Sequence, residues 1–170
     1  GGGDVQWMTA GKGVQHSEMF PLVHHDKANP LVLFQVWLNL PAANKMVEPH
    51  FQMLWAEDIP QKVFTDEEGN EISVDVIAGR LDGQEALPPP PDSWAWSTDN
   101  HVAIWAIVMS AGACWVLPKS EKDLSRTLYF YQGDSLVVDG ESVSSMHKIS
   151  LESDADVVLQ TGDEECRLLL

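Results

Sequence analysis

Apolar residues along this chain recur mostly at every second position, the period of strands with one buried face. Over residues 31–39, Leu33, Gln35, Trp37 and Asn39 alternate with Val32, Phe34, Val36 and Leu38. One face is therefore uniformly apolar and the other mixed, which predicts a strand. Ile72, Val74 and Val76 share a face in a second such run. Residues 101–110 are almost continuously apolar, the pattern of a strand covered on both sides. Residues 128–131 and 136–138 flank Gln132-Gly133-Asp134-Ser135, where the glycine suits a hairpin turn. A second turn is expected at Asp139-Gly140. Residues 157–160 and 167–170 flank Thr161-Gly162-Asp163, which predicts a further hairpin. Helical turns are expected only near residues 55–59 and 121–124.

Many short strands between Gly, Asp and Asn turns predict an all-β chain, a sandwich or barrel of jelly-roll type. The run Pro88-Pro89-Pro90-Pro91 has no amide donors and favours an extended conformation, so it reads as a rigid connector, with Trp94 and Trp96 expected to anchor it to the core. The chain starts at Gly1-Gly2-Gly3-Asp4 directly before the dense run Val5-Gln6-Trp7-Met8, and it stops at Leu168-Leu169-Leu170 within a strand-like stretch. Domain ends are usually polar and exposed, so this is expected to be part of a longer protein.

Composition narrows the function. With 170 residues, 44% of them hydrophobic, the chain can bury one sizeable core or two small ones. Ten basic residues against 26 acidic ones give a formal charge of −16, which argues against direct nucleic-acid binding. The longest apolar stretch, residues 102–109, falls far short of the roughly 20 residues that span a bilayer. No membrane role and a cytoplasmic location are expected. Cys114 and Cys166 make neither a disulfide framework nor a zinc motif, and both are expected to be small buried thiols in a reducing compartment.

The candidate chemistry lies near the start. Gly11-x-Gly13 allows a tight turn, and His16-x-Glu18 follows on an extended run. On such a run the two side chains share a face, with α-carbons roughly 6 to 7 Å apart. Imidazole and carboxylate together suit a transition ion such as Fe(II), Mn(II), Ni(II) or Cu(II). Spacing alone favours an exposed ion pair over a metal site. Trp7 and Met8 read as core residues or as walls of a metal pocket. His24 and His25 beside Asp26 read as an exposed loop, His50 as bonded to backbone, and His101 and His147 as strand-edge residues.

The whole segment Gly3-Asp4-Val5-Gln6-Trp7-Met8-Thr9-Ala10-Gly11, with Gly13, His16, Ser17 and Glu18, resembles the second metal-binding motif of the pirin family, within the cupin superfamily. Trp37-Leu38-Asn39-Leu40-Pro41, Lys45-Met46-Val47-Glu48-Pro49 and Val76-Ile77-Ala78-Gly79 extend the resemblance. It implies an all-β bicupin of two jelly-roll β-barrels, the first incomplete in this chain. Residues 1–86 would be the remainder of the N-terminal metal-binding cupin barrel plus inter-barrel strands, 87–91 the proline-rich connector, and 92–170 a C-terminal metal-free barrel. The family's metal, usually iron, is held by three histidines and a glutamate. His16 and Glu18 match the third histidine and the glutamate. The other two histidines belong to a preceding His-x-His segment that this chain does not contain, and the family's closing Gly-Pro-Phe-Val-Met-Asn type segment is absent too. In the second barrel Gly112, Pro118, Ser120, Arg126 and Gly133 stand where a cupin metal set would, and none of them suits a metal.

The resemblance implies one divalent transition metal, Fe(II) first and Mn, Ni or Cu after it. It implies a quercetin 2,3-dioxygenase-type oxygenase acting on a flavonol-like small molecule, with Glu18 as catalytic base as well as ligand. The alternative is a non-enzymatic, metal- and redox-responsive regulator that binds a protein partner through its acidic surface.

Overall fold

Alternating burial builds the fold strand by strand. The structure, a computed structural model, describes residues 2–121 and 123–170. Gly1, and Lys122 within the helical turn expected near 121–124, lie outside the described residues. An antiparallel ribbon pairs β1 (Val5–Thr9) with β2 (His50–Leu54). The next strands are β3 (Gln61–Thr65), β4 (Glu71–Ala78), the short pair β5 (Arg80–Leu81) and β6 (Gln84–Glu85), then β7 (Ile104–Met109) and β8 (Cys114–Leu117). They are followed by β9 (Arg126–Gln132), β10 (Ser135–Val138), β11 (Glu141–Ser144), β12 (His147–Leu151), β13 (Val157–Thr161) and β14 (Cys166–Leu169). Single 3-10 turns occupy Ala42–Asn44, Trp94–Trp96 and Thr98–Asn100.

Two antiparallel sheets form an open sandwich, one ordered β12-β9-β14-β7-β4-β3 and the other β11-β10-β13-β8. Val74, Ile107, Leu128, Phe130 and Leu168 from the larger sheet join Leu117, Leu136 and Leu159 from the smaller in one buried cluster. This is how two half-apolar sheets satisfy each other. Strands β3 and β4 precede the proline run, yet β4 pairs with β7 beyond it, so the larger sheet spans the connector. Among the described residues no helix is long and apolar enough to cross a membrane.

Several expectations need correction. Residues 31–39 form no strand: Leu31, Val32, Leu33, Phe34, Val36 and Trp37 are exposed, and no neighbouring strand accepts their backbone groups. An alternating face defines a strand only when a partner completes its ladder. What holds this segment to the sheet is an edge-on contact of Phe34 with Tyr131 of β9, ring centroids 4.8 Å apart. Strand β7 is covered on one face, with Trp105, Ile107 and Met109 buried and Ile104, Ala106 and Val108 only half-buried.

Neither the 132–135 turn nor the 161–163 turn closes a hairpin. Each carries the chain from one sheet to the other, β9 to β10 and β13 to β14. At Gly133, with φ +130, a Cβ would lie 2.6 Å from Cys166 Sγ, so the corner packs directly on β14. Asp139-Gly140 does close the β10–β11 hairpin, with φ positive at both residues, 48° and 86°. The expected turn at 55–59 is present, Asp58 and Ile59 both donating to the Trp55 carbonyl. Cys114 is exposed rather than buried, because β8 turns Trp115 and Leu117 inward and Cys114 and Val116 outward. Trp94 and Trp96 do not anchor the connector: they are 39% and 56% exposed. Hydrogen bonds hold it instead, from Thr9 Oγ1 to the Pro91 carbonyl at 2.8 Å and from Asn44 Nδ2 to the Asp92 carbonyl at 3.0 Å.

Candidate functional site

Strand β1 delivers the chain to Gly11 with its last residue, Thr9, buried against the connector. Gly11 has φ +49, and a Cβ there would stand 2.2 Å from the Val47 carbonyl oxygen. That oxygen accepts from the Lys12 amide at 2.9 Å, and the Gly13 amide closes the turn onto the Ala10 carbonyl at 2.9 Å. An ion pair between Lys12 and Glu48 ties the same two segments on the outside. The tight turn that the glycine spacing predicted is present, and Gly11 lets it close against Val47.

Beyond the turn the chain runs in the open, without a sheet partner, through His16 and Glu18. The expectation that the two side chains meet holds, although no strand carries them: His16 Nε2 and Glu18 Oε1 are 3.9 Å apart, both partly exposed. Two donors on one ion, each at about 2.1 Å, stand no more than about 4.2 Å apart, so the pair lies within reach of a shared metal. Imidazole nitrogen and carboxylate oxygen are also the right donors for a first-row transition ion. Two donors do not complete a resident site, however. Among the described residues no group of three or more His, Cys, Asp or Glu gathers around a common point. The pair fits a metal as part of a donor set.

The other histidines go elsewhere. His24 sits in a loop fastened by Asn29, whose Oδ1 accepts from the His24 amide at 2.8 Å. His50, at the start of β2, faces the Asp92 carboxylate at 3.4 Å rather than backbone. His101 is not at a strand edge: it caps the turn Thr98–Asn100 in the left-handed region, φ +49. His147 opens the edge strand β12, its Nδ1 3.0 Å from the Ser144 carbonyl. Trp7 and Met8 are half-buried on β1, opposite Gln52 and Phe51. A cleft of about 390 Å³ opens beside the Gly11 turn, walled by Trp37, Leu38, Leu40 and Lys45.

Residues 1–38, which carry this turn and both donors, match the family model described as pirin. A Pseudomonas aeruginosa protein, provisionally named a quercetin 2,3-dioxygenase, is 36% identical over 112 residues, 66% of this chain and 35% of its own length. Human pirin is 42% identical over 81 residues, 48% of this chain and 24% of its own. The chain belongs to the pirin family. Matched stretches of 35% and 24% mean that this pirin-family chain spans well under two-thirds of those relatives. Its fold agrees with two crystal structures. Quercetin 2,3-dioxygenase from Acinetobacter baumannii superposes with TM-score 0.66 at 20% identity, over 98% of this chain and 54% of the other. A Geobacillus kaustophilus protein gives TM-score 0.62 at 26% identity, over 98% and 61%.

In the second half of this pirin-family chain, Arg126 opens β9. It is 7% exposed. Its Nη1 donates to the Glu152 and Ala155 carbonyls at 2.8 and 2.9 Å, and its Nη2 to the Pro118 carbonyl at 2.8 Å. Burial pulls its pKa down from the usual guanidinium value, and the nearby Asp156 charge opposes that pull. This guanidinium clamps two chain segments to the start of β9.

Sequence reasoning missed the contact between His50 and Asp92 and the cleft beside it that holds Trp94 and Trp96. The signal for the cleft was present, two tryptophans just after the proline run, and was read as an anchor. No local pattern links His50 to Asp92.

Proposed function

We propose that this chain supplies the His16 and Glu18 donors of a pirin-type metal centre, and that the whole protein is a metal-dependent oxygenase of the quercetin 2,3-dioxygenase kind. The observation that carries this is the accessible His16–Glu18 pair, 3.9 Å apart, at the exit of a glycine turn clamped to Val47. The provisional name of the Pseudomonas relative supports a flavonol-like small molecule as substrate. The proposed metal is one divalent transition ion, Fe(II) first, with Mn, Ni or Cu as substitutes. The remaining histidine donors are assigned to the portion of the relatives' length that this chain does not span.

A bound metal would supply Lewis acidity toward the substrate hydroxyl and a path for dioxygen. Glu18, partly exposed, is the proposed acceptor of the proton from that hydroxyl. We keep the division into an N-terminal unit over 1–86, a connector over 87–91 and a metal-free unit over 92–170, with β3 and β4 lending strands to the second unit's larger sheet. Two free cysteines suit a reducing compartment, and the cytoplasm is the proposed location.

The test is elemental metal analysis of the full-length protein together with oxygen uptake on quercetin. Near-stoichiometric iron, manganese, nickel or copper is expected. Glu18→Gln is expected to lower turnover about 100-fold or more while part of the metal is retained. Unchanged turnover in that variant would overturn the role of Glu18, and a metal-free full-length protein would overturn the centre itself.

A further inference from the structure

Where the connector ends, residues 91–100 fold against Pro41 and Asn44 and leave an open cleft of about 290 Å³. Trp94 and Trp96 line it. Indole rings combine a large apolar face with a quadrupole that attracts cations, which is why exposed tryptophans concentrate at binding surfaces. Asp92 lines the same cleft and is held at two points. Asn44 holds its backbone carbonyl at 3.0 Å, and His50 Nε2 lies 3.4 Å from its Oδ2. The turn that carries the tryptophans is itself braced, with Asn100 Nδ2 donating to the Trp94 carbonyl at 2.6 Å. Among the described residues no lysine or arginine lines the cleft.

Two tryptophans and a carboxylate, with no lysine or arginine among the described lining residues, suit a cation, which would compete with His50 for Asp92. At about 290 Å³ and open to solvent, the cleft has room for a side-chain head group. Guanidinium fits better than ammonium, because its plane stacks on indole and its paired N–H groups match a carboxylate. The chain's formal charge of −16 favours encounter with a basic macromolecule.

We propose that the cleft formed by Trp94, Trp96 and Asp92 receives an arginine side chain from a basic protein partner. This docking is independent of the metal chemistry proposed for His16 and Glu18.

Indole N–H signals in ¹⁵N NMR of the intact protein test it, the signals of Trp94 and Trp96 being identified by Trp94→Ala and Trp96→Ala. The protein is titrated with acetyl-Gly-Arg-Gly-amide, its citrulline counterpart and tetramethylammonium. Saturable shifts confined to the two cleft signals are expected with the arginine peptide, about tenfold weaker with the neutral citrulline peptide. Added salt is expected to weaken them. Asp92→Asn is expected to weaken arginine binding about fivefold or more, with the other indole signals unmoved. Equal binding of the citrulline peptide, or equal binding of tetramethylammonium, which would make this a small-cation site, overturns the proposal. So does an arginine titration that leaves both cleft signals in place.

Discussion

The carbonyl oxygen of Val47 receives the Lys12 amide at 2.9 Å and fills the space that a side chain at Gly11 would need. One oxygen thus closes the turn and dictates the residue in it. The relationship links a backbone contact to the candidate chemistry, because the chain reaches His16 and Glu18 only through this turn. Gly11→Ala would place a methyl group 2.2 Å from that oxygen at φ +49. The expected cost is about 2 kcal/mol or more, from strain in the left-handed region plus displacement of residues 44–48. Urea denaturation reads this as a lower midpoint with an unchanged slope. Gly13→Ala meets no atom within 4 Å and carries strain only, since its φ is +121, so its loss is expected to be smaller.

Asp66 gives the fold a pH dependence of known sign. Its carboxylate accepts from the Cys114 amide at 3.0 Å, across to the other sheet, and from Asn70 and Glu68 within its own loop. These bonds, the Cys114 one foremost, hold its pKa at about 2 against the opposing effect of desolvation. The folded value lies below that of an unfolded aspartate, about 3.9. The contribution is therefore fully present above about pH 4 and is lost as pH falls toward about 2. Asp66→Asn is expected to flatten the stability curve in that window. Thermal unfolding at closely spaced pH values checks it, and parallel curves for the two proteins would exclude the role.

The two cysteines should separate cleanly by reactivity. Cys166 is buried under the Gly133 corner, and burial, with the Asp134 charge adding to it, pushes its thiol up to about 11. Cys114 is exposed on β8. An aromatic disulfide reagent at neutral pH is expected to release one equivalent from the native protein and a second only after denaturation. Cys114→Ser is expected to abolish the first equivalent.

These contacts mark what the sequence could disclose. Ile72, Val74 and Val76 announced a strand, and a strand is there with all three buried, because their alternation is met by neighbours on both sides of β4. Residues 31–39 carried the same period and made none. Periodicity describes a face and says nothing of whether a partner lies beside it. Gly133 and Gly162 marked reversals correctly but left open whether the chain returns to its own sheet or crosses to the facing one. Close packing decides that, since a Cβ at Gly162 would meet Ser135 Oγ at 2.3 Å. His16 and Glu18 were legible as a pair because their relation is local. His50, at the start of β2, and Asp92, just after the proline run, meet only through tertiary folding, and no spacing rule connects them.

Arg126 joins distant chain segments through one buried side chain. Three backbone carbonyls from residues 118, 152 and 155 converge on its guanidinium, fixing the segment after β8 and the loop between β12 and β13 to the start of β9. Removing the side chain leaves all three oxygens without this donor in a site where Arg126 itself is buried. Arg126→Ala is therefore expected to lose about 3 kcal/mol, the scale of losing hydrogen bonds to a charged group. Arg126→Lys should recover little, because a single ammonium cannot span acceptors served by two separate guanidinium nitrogens. Denaturant titration of both variants distinguishes this clamp from a simple positive charge. If lysine restores full stability, charge rather than the shape of the guanidinium holds the segments together.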